Sequence, residues 1–384
     1  MAENVVIGAL KANSKSFNLS SKKLKHVPKS VSKLTNLAKL QLSNNWLTTL
    51  PVELQSLQHL TELNLGNNTL EEIPSVVGHL TSLRKLYLFG NKITSLPPAV
   101  LGGLPNLVIL NLNHNCIQFL PSAIDRLVRL KTLSVTDNRL EEIPVELCSL
   151  DTLVEINLTN NDLIRLPQQL YNLSHLSRLY LARNKLKELP EGIVCWSSLR
   201  ILDVAGNNLS MFPVDFQLMI LRKLHCEDNN FVPCEPIESV QEVEVLSLKE
   251  LAARLILVED RDQFSVVHEA LLCHPTLAST LQGWGLCGLC SLPFLTTWLE
   301  CVQFINLHKD MRIRSHQTIP VRVLLCSYKC FNKSGHSFYG VGSMSEKPSL
   351  QPRDSASILL AKVCVCSSSV QSARLSALQD TWVC

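Results

Sequence analysis

Asparagine recurs at positions 45, 68, 91, 115, 138, 161, 184, 207 and 229 of this 384-residue chain, 23 residues apart except for one gap of 24 and a last gap of 22. Each occupies the same place in a unit such as "LTELNLGNNTLEEIP" or "LVEINLTNNDLIRLP", degraded in the last copy to "LRKLHCEDNNFVP". A period of this length marks a chain of stacked supersecondary units, none of which can bury its own apolar face without its neighbours. The composition agrees: 46% of the residues are apolar but only 5% aromatic, so the core is built on leucine rather than rings.

Within a unit, "LxLxx" reads as a short strand, the Asn marks a turn, and "xLxxLP" leads into a helical or 3-10 return such as "VELQSLQHL". Strand alternation points the leucines inward and the residues between them outward. An Asn amide carries two donors and one acceptor site with two lone pairs, so at the turn it can serve backbone groups of its own coil and the next. These nine in-phase units resemble the leucine-rich-repeat family, in its intracellular 23-residue class with "LP" after the turn. The resemblance implies an α/β solenoid over residues 17–235, of about ten repeats, with a parallel concave β-sheet and a short helical or 3-10 convex side. "FNLSSKKLKHVP" keeps Phe17, Leu19, Leu24 and Val27 but has Lys22 at the Asn position, and reads as the first unit. Residues 1–16 then supply an N-terminal cap helix, over 3–12.

Ligands of such solenoids usually bind the concave side. Its central column runs Gln41, Asn64, Tyr87, Asn111, Ser134, Asn157, Tyr180, Asp203 and His225, and the next runs from Ser43 to Glu227. Most of these are small and uncharged. The exceptions are Tyr87 and Phe89 on one strand and Tyr180 with Arg183 four units on, residue types enriched at binding hot spots. With Asn111 and Asn113 they make the candidate protein-binding surface; the alternative is ordinary exposure of scattered aromatics. His114 and Asp137 resemble a catalytic pair but fall at solvated turn positions. No phosphate loop, nucleophile elbow, zinc-protease helix or kinase signature occurs, so no enzyme is expected.

The leucine pattern stops at "NNFVPCEP". Residues 236–280 read as a helical C-terminal cap, centred on an amphipathic helix from Leu248 whose apolar face is Leu248, Leu251, Ala252, Leu255 and Ile256, with Lys249, Glu250 and Arg254 opposite. Ser247 and Glu250 fit a capping box. "SLKELAARLI" also resembles the elongin-binding box of cullin-RING ubiquitin ligase receptors, which implies Leu248, Ala252 and Ile256 as adaptor anchors and elongin B/C as a partner; Ala252 stands where Cys is more usual.

Residues 281–342 form a small Cys-rich module. Cys287 and Cys290 make a CxxC, and Cys326 and Cys330 a CxxxC after a strand-like run. Two turns, each offering two sulfurs, suit a tetrahedral thiolate site, and four soft thiolates select structural Zn²⁺ in a zinc-ribbon-like arrangement. Buried thiols and a redox pair are the alternatives. Cys301, His308 and His316 lie between the knuckles, Cys301 reading as a packing residue. This architecture is similar to a small group of intracellular repeat proteins with a C-terminal cysteine module. Residues 343–384 are Ser-rich without periodicity and are expected to be disordered.

A net charge of +3, from 36 basic and 33 acidic residues, argues against nucleic acid or an anionic membrane as partner. The window 281–299 has membrane-span length but is diluted by Gly, Pro and hydroxyl residues, so no span is expected. The start lacks a secretory signal pattern, which points to a cytoplasmic protein with reduced thiols. Together these features predict a non-catalytic scaffold, in signalling for example, that holds a protein on its solenoid; a substrate receptor of an elongin/cullin-RING ligase is the alternative.

Overall fold

The structure, a computed structural model, describes residues 6, 9–10, 12–233, 246–262, 264–315 and 317–340. The helix expected over 3–12 falls largely outside them, although Val6 is helical and buried. Cys234 and the tail 343–384 also lie outside the described residues.

The repeats form one parallel sheet of ten three-residue strands in chain order: β1 (Ser16–Asn18), β2 (Lys39–Gln41), β3 (Glu62–Asn64), β4 (Lys85–Tyr87), β5 (Ile109–Asn111), β6 (Thr132–Ser134), β7 (Glu155–Asn157), β8 (Arg178–Tyr180), β9 (Ile201–Asp203) and β10 (Lys223–His225). The register is constant, with Leu63 beside Leu86 and Leu86 beside Leu110, so each central leucine joins a continuous buried row. The returns are mostly 3-10 turns such as Val52–Ser56 and Val145–Ser149, these two begun by Pro51 and Pro144. Proline fits there because its φ is already set and the missing N–H has no helical partner to lose.

The Asn column joins neighbouring coils. The Asn68 side-chain nitrogen donates to Leu65 O in its own coil (2.9 Å) and Leu42 O in the preceding one (3.1 Å), while its oxygen accepts the Leu47 amide (3.0 Å). Asn161 repeats this with Leu158 O, Val135 O and the Leu140 amide. The 24-residue unit keeps the pattern because its extra residue is absorbed on the return, which becomes a short α-helix, α1 (Pro98–Gly102). Asn115 still reaches Leu88 O at 3.0 Å. Gly103 ends that return against the carbonyl of Gly78, where a β-carbon would collide with backbone.

The chain divides into two compact units, the second comprising Met211–Leu218, Val232–Asp310 and the residues from His316 onward. This unit holds helices α2 (Leu248–Glu259), α3 (Val266–Cys273) and α4 (Pro275–Thr280), and a hairpin of β11 (Gly285–Leu286) with β12 (Pro293–Phe294). It also holds an antiparallel sheet ordered β14 (Thr318–Leu325), β13 (Leu299–Asn306), β15 (Phe338–Gly340). Phe212 adds a parallel bridge to β14 at Val321. The 281–299 window contains turns, β11, β12 and the start of β13, and among the described residues no helix is long and apolar enough to cross a membrane.

The expected facing of α2 is corrected. Its buried side is Glu250, Ala253 and Leu257, packed with Leu281 and Leu295, while Leu248 (85% exposed) and Leu255 (71%) face solvent with Leu251. Only Ile256 of the expected apolar face packs against that core. The capping box is half formed: Ser247 Oγ accepts the Glu250 amide at 3.1 Å, but the Glu250 carboxylate is engaged elsewhere. A polar pair has displaced the leucines because its hydrogen-bond partners lie on the packed side.

Substituting Asn161→Ala orphans the buried Leu140 amide, while the Leu158 and Val135 carbonyls keep a donor each in Asn184 and Asn138, and should cost about 2 kcal/mol in urea unfolding. Asn138→Ala, at a half-buried rung, should cost less.

Candidate functional site

Strand register brings the two cysteine knuckles together. β13 begins at Leu299, just after the first knuckle and its hairpin, and Leu299 pairs with Leu325, the last residue before Cys326. The Gly288 amide, inside the first knuckle, donates to Leu324 O (2.8 Å). Cys287, Cys290, Cys326 and Cys330 consequently gather with all four sulfurs within 4.8 Å of one another, and Cys326 stands 3.6 Å from both Cys290 and Cys330. Four sulfurs about 2.3 Å from one ion would be ~3.8 Å apart, whereas a disulfide needs about 2.05 Å. The spacing therefore fits a shared cation, and this cluster of four cysteines could hold a metal ion.

Electrostatics within the cluster are uneven. Hydrogen bonds from the Cys290 and Cys326 thiols lower the Cys287 pKa, and those same bonds to Cys287 push Cys290 up. Cys301 is outside the group: it is buried in the apolar cluster around Phe294 and Leu325, and burial pushes its pKa up to about 12. It is a packing residue. His308 is exposed, and His316 lies outside the described residues.

Beside the cluster sits a polar pair that the sequence reading placed on the wrong face. Glu250, fully buried, accepts from the Leu295 amide (2.9 Å), the Thr296 amide (2.6 Å), Thr296 Oγ1 (2.8 Å) and Arg254 Nε (2.7 Å). Arg254 Nη2 donates in turn to Thr297 O and Cys326 O, both at 2.9 Å. Burial alone would raise the Glu250 pKa, but these hydrogen bonds together hold it below its ordinary value. The visible sequence signal was the four-residue Glu–Arg spacing, which is common on exposed helix faces and does not reveal burial.

On the solenoid, Tyr87 and Phe89 are half-buried on the outward side of the sheet, and the Phe89 ring lies over Gly66, where any β-carbon would meet it. Tyr180 is half-buried on β8 and Arg183 is exposed in the turn that follows. At about 4.8 Å per strand, β4 and β8 are ~19 Å apart, so these are two patches rather than one. Asn113 is drawn into structure: its side-chain oxygen accepts from Ser134 Oγ (2.7 Å) and the Thr136 amide (2.9 Å). The Asn111 oxygen accepts the Asn113 amide. His114 Nδ1 stands 3.0 Å from an Asp137 carboxylate oxygen, both residues at left-handed turn positions, with Asn160 bonded to the same carboxylate.

A leucine rich repeat family model matches residues 13–70, 35–93, 81–140 and 151–209, within the stretch where the Asn ladder runs. The repeats of this chain are leucine-rich repeats of that family. The chain is similar to leucine-rich repeat-containing protein 69 of Xenopus laevis, 44% identical over 131 residues (34% of this chain, 38% of the relative). The human protein of that name is 39% identical over 125 residues, 32% of this chain and 36% of that one. The chain thus spans little more than a third of the length of the curated relatives it matches. Among solved structures, the crystal structure of a TDR receptor matches with a TM-score of 0.51 and 28% identity, covering 60% of this chain and 45% of that chain. The repeat fold is one that commonly carries protein binding, and nothing in the family match points to catalysis.

Glu250→Gln retains the shape but removes the charge facing Arg254, and should destabilise the C-terminal unit at neutral pH by about 3 kcal/mol. Because the folded pKa of Glu250 is lowered, its stabilisation is present above the ordinary carboxylate value near 4.5 and fades as pH falls through the folded value. The gap between wild type and variant in urea unfolding should therefore narrow from pH 7 to pH 3.5.

Proposed function

We propose that this protein is a non-catalytic cytoplasmic scaffold that captures a protein partner on the sheet face of its solenoid, in a role such as signalling, while a structural zinc ion holds its C-terminal unit. The observation that carries the binding reading is the pair Tyr87 and Phe89 on the outward face, with the Phe89 ring seated over a glycine that leaves it room. Rigid aromatic surface beside a layer of short polar side chains suits a folded protein better than a small molecule. Tyr180 and Arg183 form a second contact region, and Asn111 and Asn113 contribute shape more than free hydrogen-bonding groups.

A ubiquitin-ligase adaptor is the second reading, favoured by one observation: Leu248 and Ala252 are exposed on α2, and Ile256 stands at the edge of that exposed face. Such a stripe fits helix-in-groove recognition by elongin B/C. The zinc reading is supported by the thiolate spacing. A closed four-thiolate site also supplies folding free energy, on the order of 10 kcal/mol, to a unit with little core of its own.

Affinity capture from lysate with wild type, a Tyr87→Ala/Phe89→Ala/Tyr180→Ala variant and Leu248→Asp separates the partner readings. The scaffold reading expects the aromatic variant to lose the partners that wild type recovers, and identical recovery would sink it. The adaptor reading expects elongin B and C with wild type but not Leu248→Asp; their absence from wild-type captures overturns it. Elemental analysis should give one zinc per chain, lost in Cys290→Ser and in Cys326→Ser alike.

A further inference from the structure

The two cysteine knuckles are borne by separate elements. The first lies within the β11–β12 hairpin, and the second follows β14 and leads into the short helix Tyr328–Phe331. The Glu250–Arg254 pair touches the support of both. Glu250 takes the Leu295 and Thr296 amides, directly after β12, and Arg254 takes the carbonyls of Thr297 and of Cys326 itself. One turn of α2 therefore holds the segment leaving the first knuckle and the carbonyl of a sulfur-bearing residue in the second. Farther along, Arg261 Nη2 donates to Ser291 O (2.8 Å), the residue after Cys290.

We propose that Glu250 and Arg254 form a clamp through which metal occupancy of the four-thiol site and docking of α2 stabilise each other; this rests on the metal reading above. A divalent cation with four thiolates carries two net negative charges. The Arg254 guanidinium stands one residue's carbonyl from one of those sulfurs, and the Arg261 guanidinium contacts the backbone beside another. Groups outside the ligand set that orient ligands and offset their charge commonly alter metal affinity 10–100-fold.

The coupling runs equally in the other direction. A bound ion fixes the separation of the knuckles, and with it the spacing of Thr297 O and Cys326 O that a single guanidinium nitrogen spans. When the ion leaves, the crowded sulfurs have no shared charge to gather around and the Cys326 carbonyl is free to turn. Arg254 and Glu250 are then buried without their full set of partners, a costly state that α2 relieves by loosening. The exposed leucines Leu248, Leu251 and Leu255 are carried on that same helix, so their presentation as a stripe depends on the metal.

The test uses the full chain loaded with Zn²⁺. Hydrogen exchange of the α2 amides is followed before and after EDTA, and again after zinc is restored, with the solenoid amides as internal control. The expected result is at least tenfold loss of α2 protection on chelation, recovered with zinc, and solenoid protection unchanged. In competition with a chromophoric chelator, Arg254→Gln should bind Zn²⁺ 10–100-fold more weakly than wild type, Arg254→Lys should fall between, and Lys249→Gln, exposed on the same helix, should match wild type. The inference is overturned if zinc binds but α2 protection is indifferent to it, or if a folded Arg254→Gln binds zinc as tightly as wild type. The exchange experiment needs no variant, so misfolding of Arg254→Gln does not shield the idea. A chain that binds no zinc overturns this inference and the metal reading together, whereas zinc binding without an α2 response overturns only the coupling.

Discussion

The solenoid depends on one side-chain amide repeated along its length. Short strands of three residues offer few ladder hydrogen bonds, and the turn that follows each leaves carbonyls and an amide pointing inward with no strand to meet. Asn68 and its equivalents fill that position, each joining two coils through donors to both and an acceptor for the amide of the earlier one. Seven of these asparagines are buried, where an unsatisfied polar group is expensive, so the fit leaves little room for another residue type. Leucine provides the driving force, but the amide sets the spacing at which coils stack.

The C-terminal unit solves the same problem by different means. Among its described residues there is no repeating core, and the sheets are small. Its apolar residues include two clusters, one around Phe294 and Leu325 and one around Ala253 and Leu257. The Glu250–Arg254 pair joins the helix to the loop after β12 and to the second knuckle, and the four sulfurs bring the knuckles within reach of one ion. Fixed polar geometry takes the place of a large core there, which is the expected compromise in a small unit.

Legibility differed between the two units for a physical reason. In the repeats, a mistake in one coil would be repeated nine times, so periodicity alone exposes the strands, the inward leucines and the role of Asn45 through Asn229. Even the unit of 24 residues could be placed, because Asn115 keeps its position relative to the leucines around it. The outward residues were legible as positions but not as functions: the spacing located Asn113, and only the structure revealed that its oxygen is committed to Ser134 and Thr136. On α2, helical spacing suggested that Leu248, Leu251 and Leu255 pack inward, and that failed because hydropathy ranks residues one by one. Glu250 is stable inside since three donors from Leu295 and Thr296, about 45 residues away in sequence, converge on it together with Arg254 of its own helix.

What the sequence determined by itself was whatever repeats or recurs locally: the solenoid, its parallel sheet, the proline-led returns, and the presence of two cysteine knuckles. Tertiary structure decided which distant groups meet. The pairing of Leu299 with Leu325 sets Cys287 and Cys290 beside Cys326 and Cys330, and the convergence of Leu295, Thr296 and Cys326 on one helix turn buries a charged pair while leaving leucines in water. Periodic packing is written in nearest-neighbour spacing, whereas burial of a charge depends on hydrogen-bond partners that only the folded chain assembles.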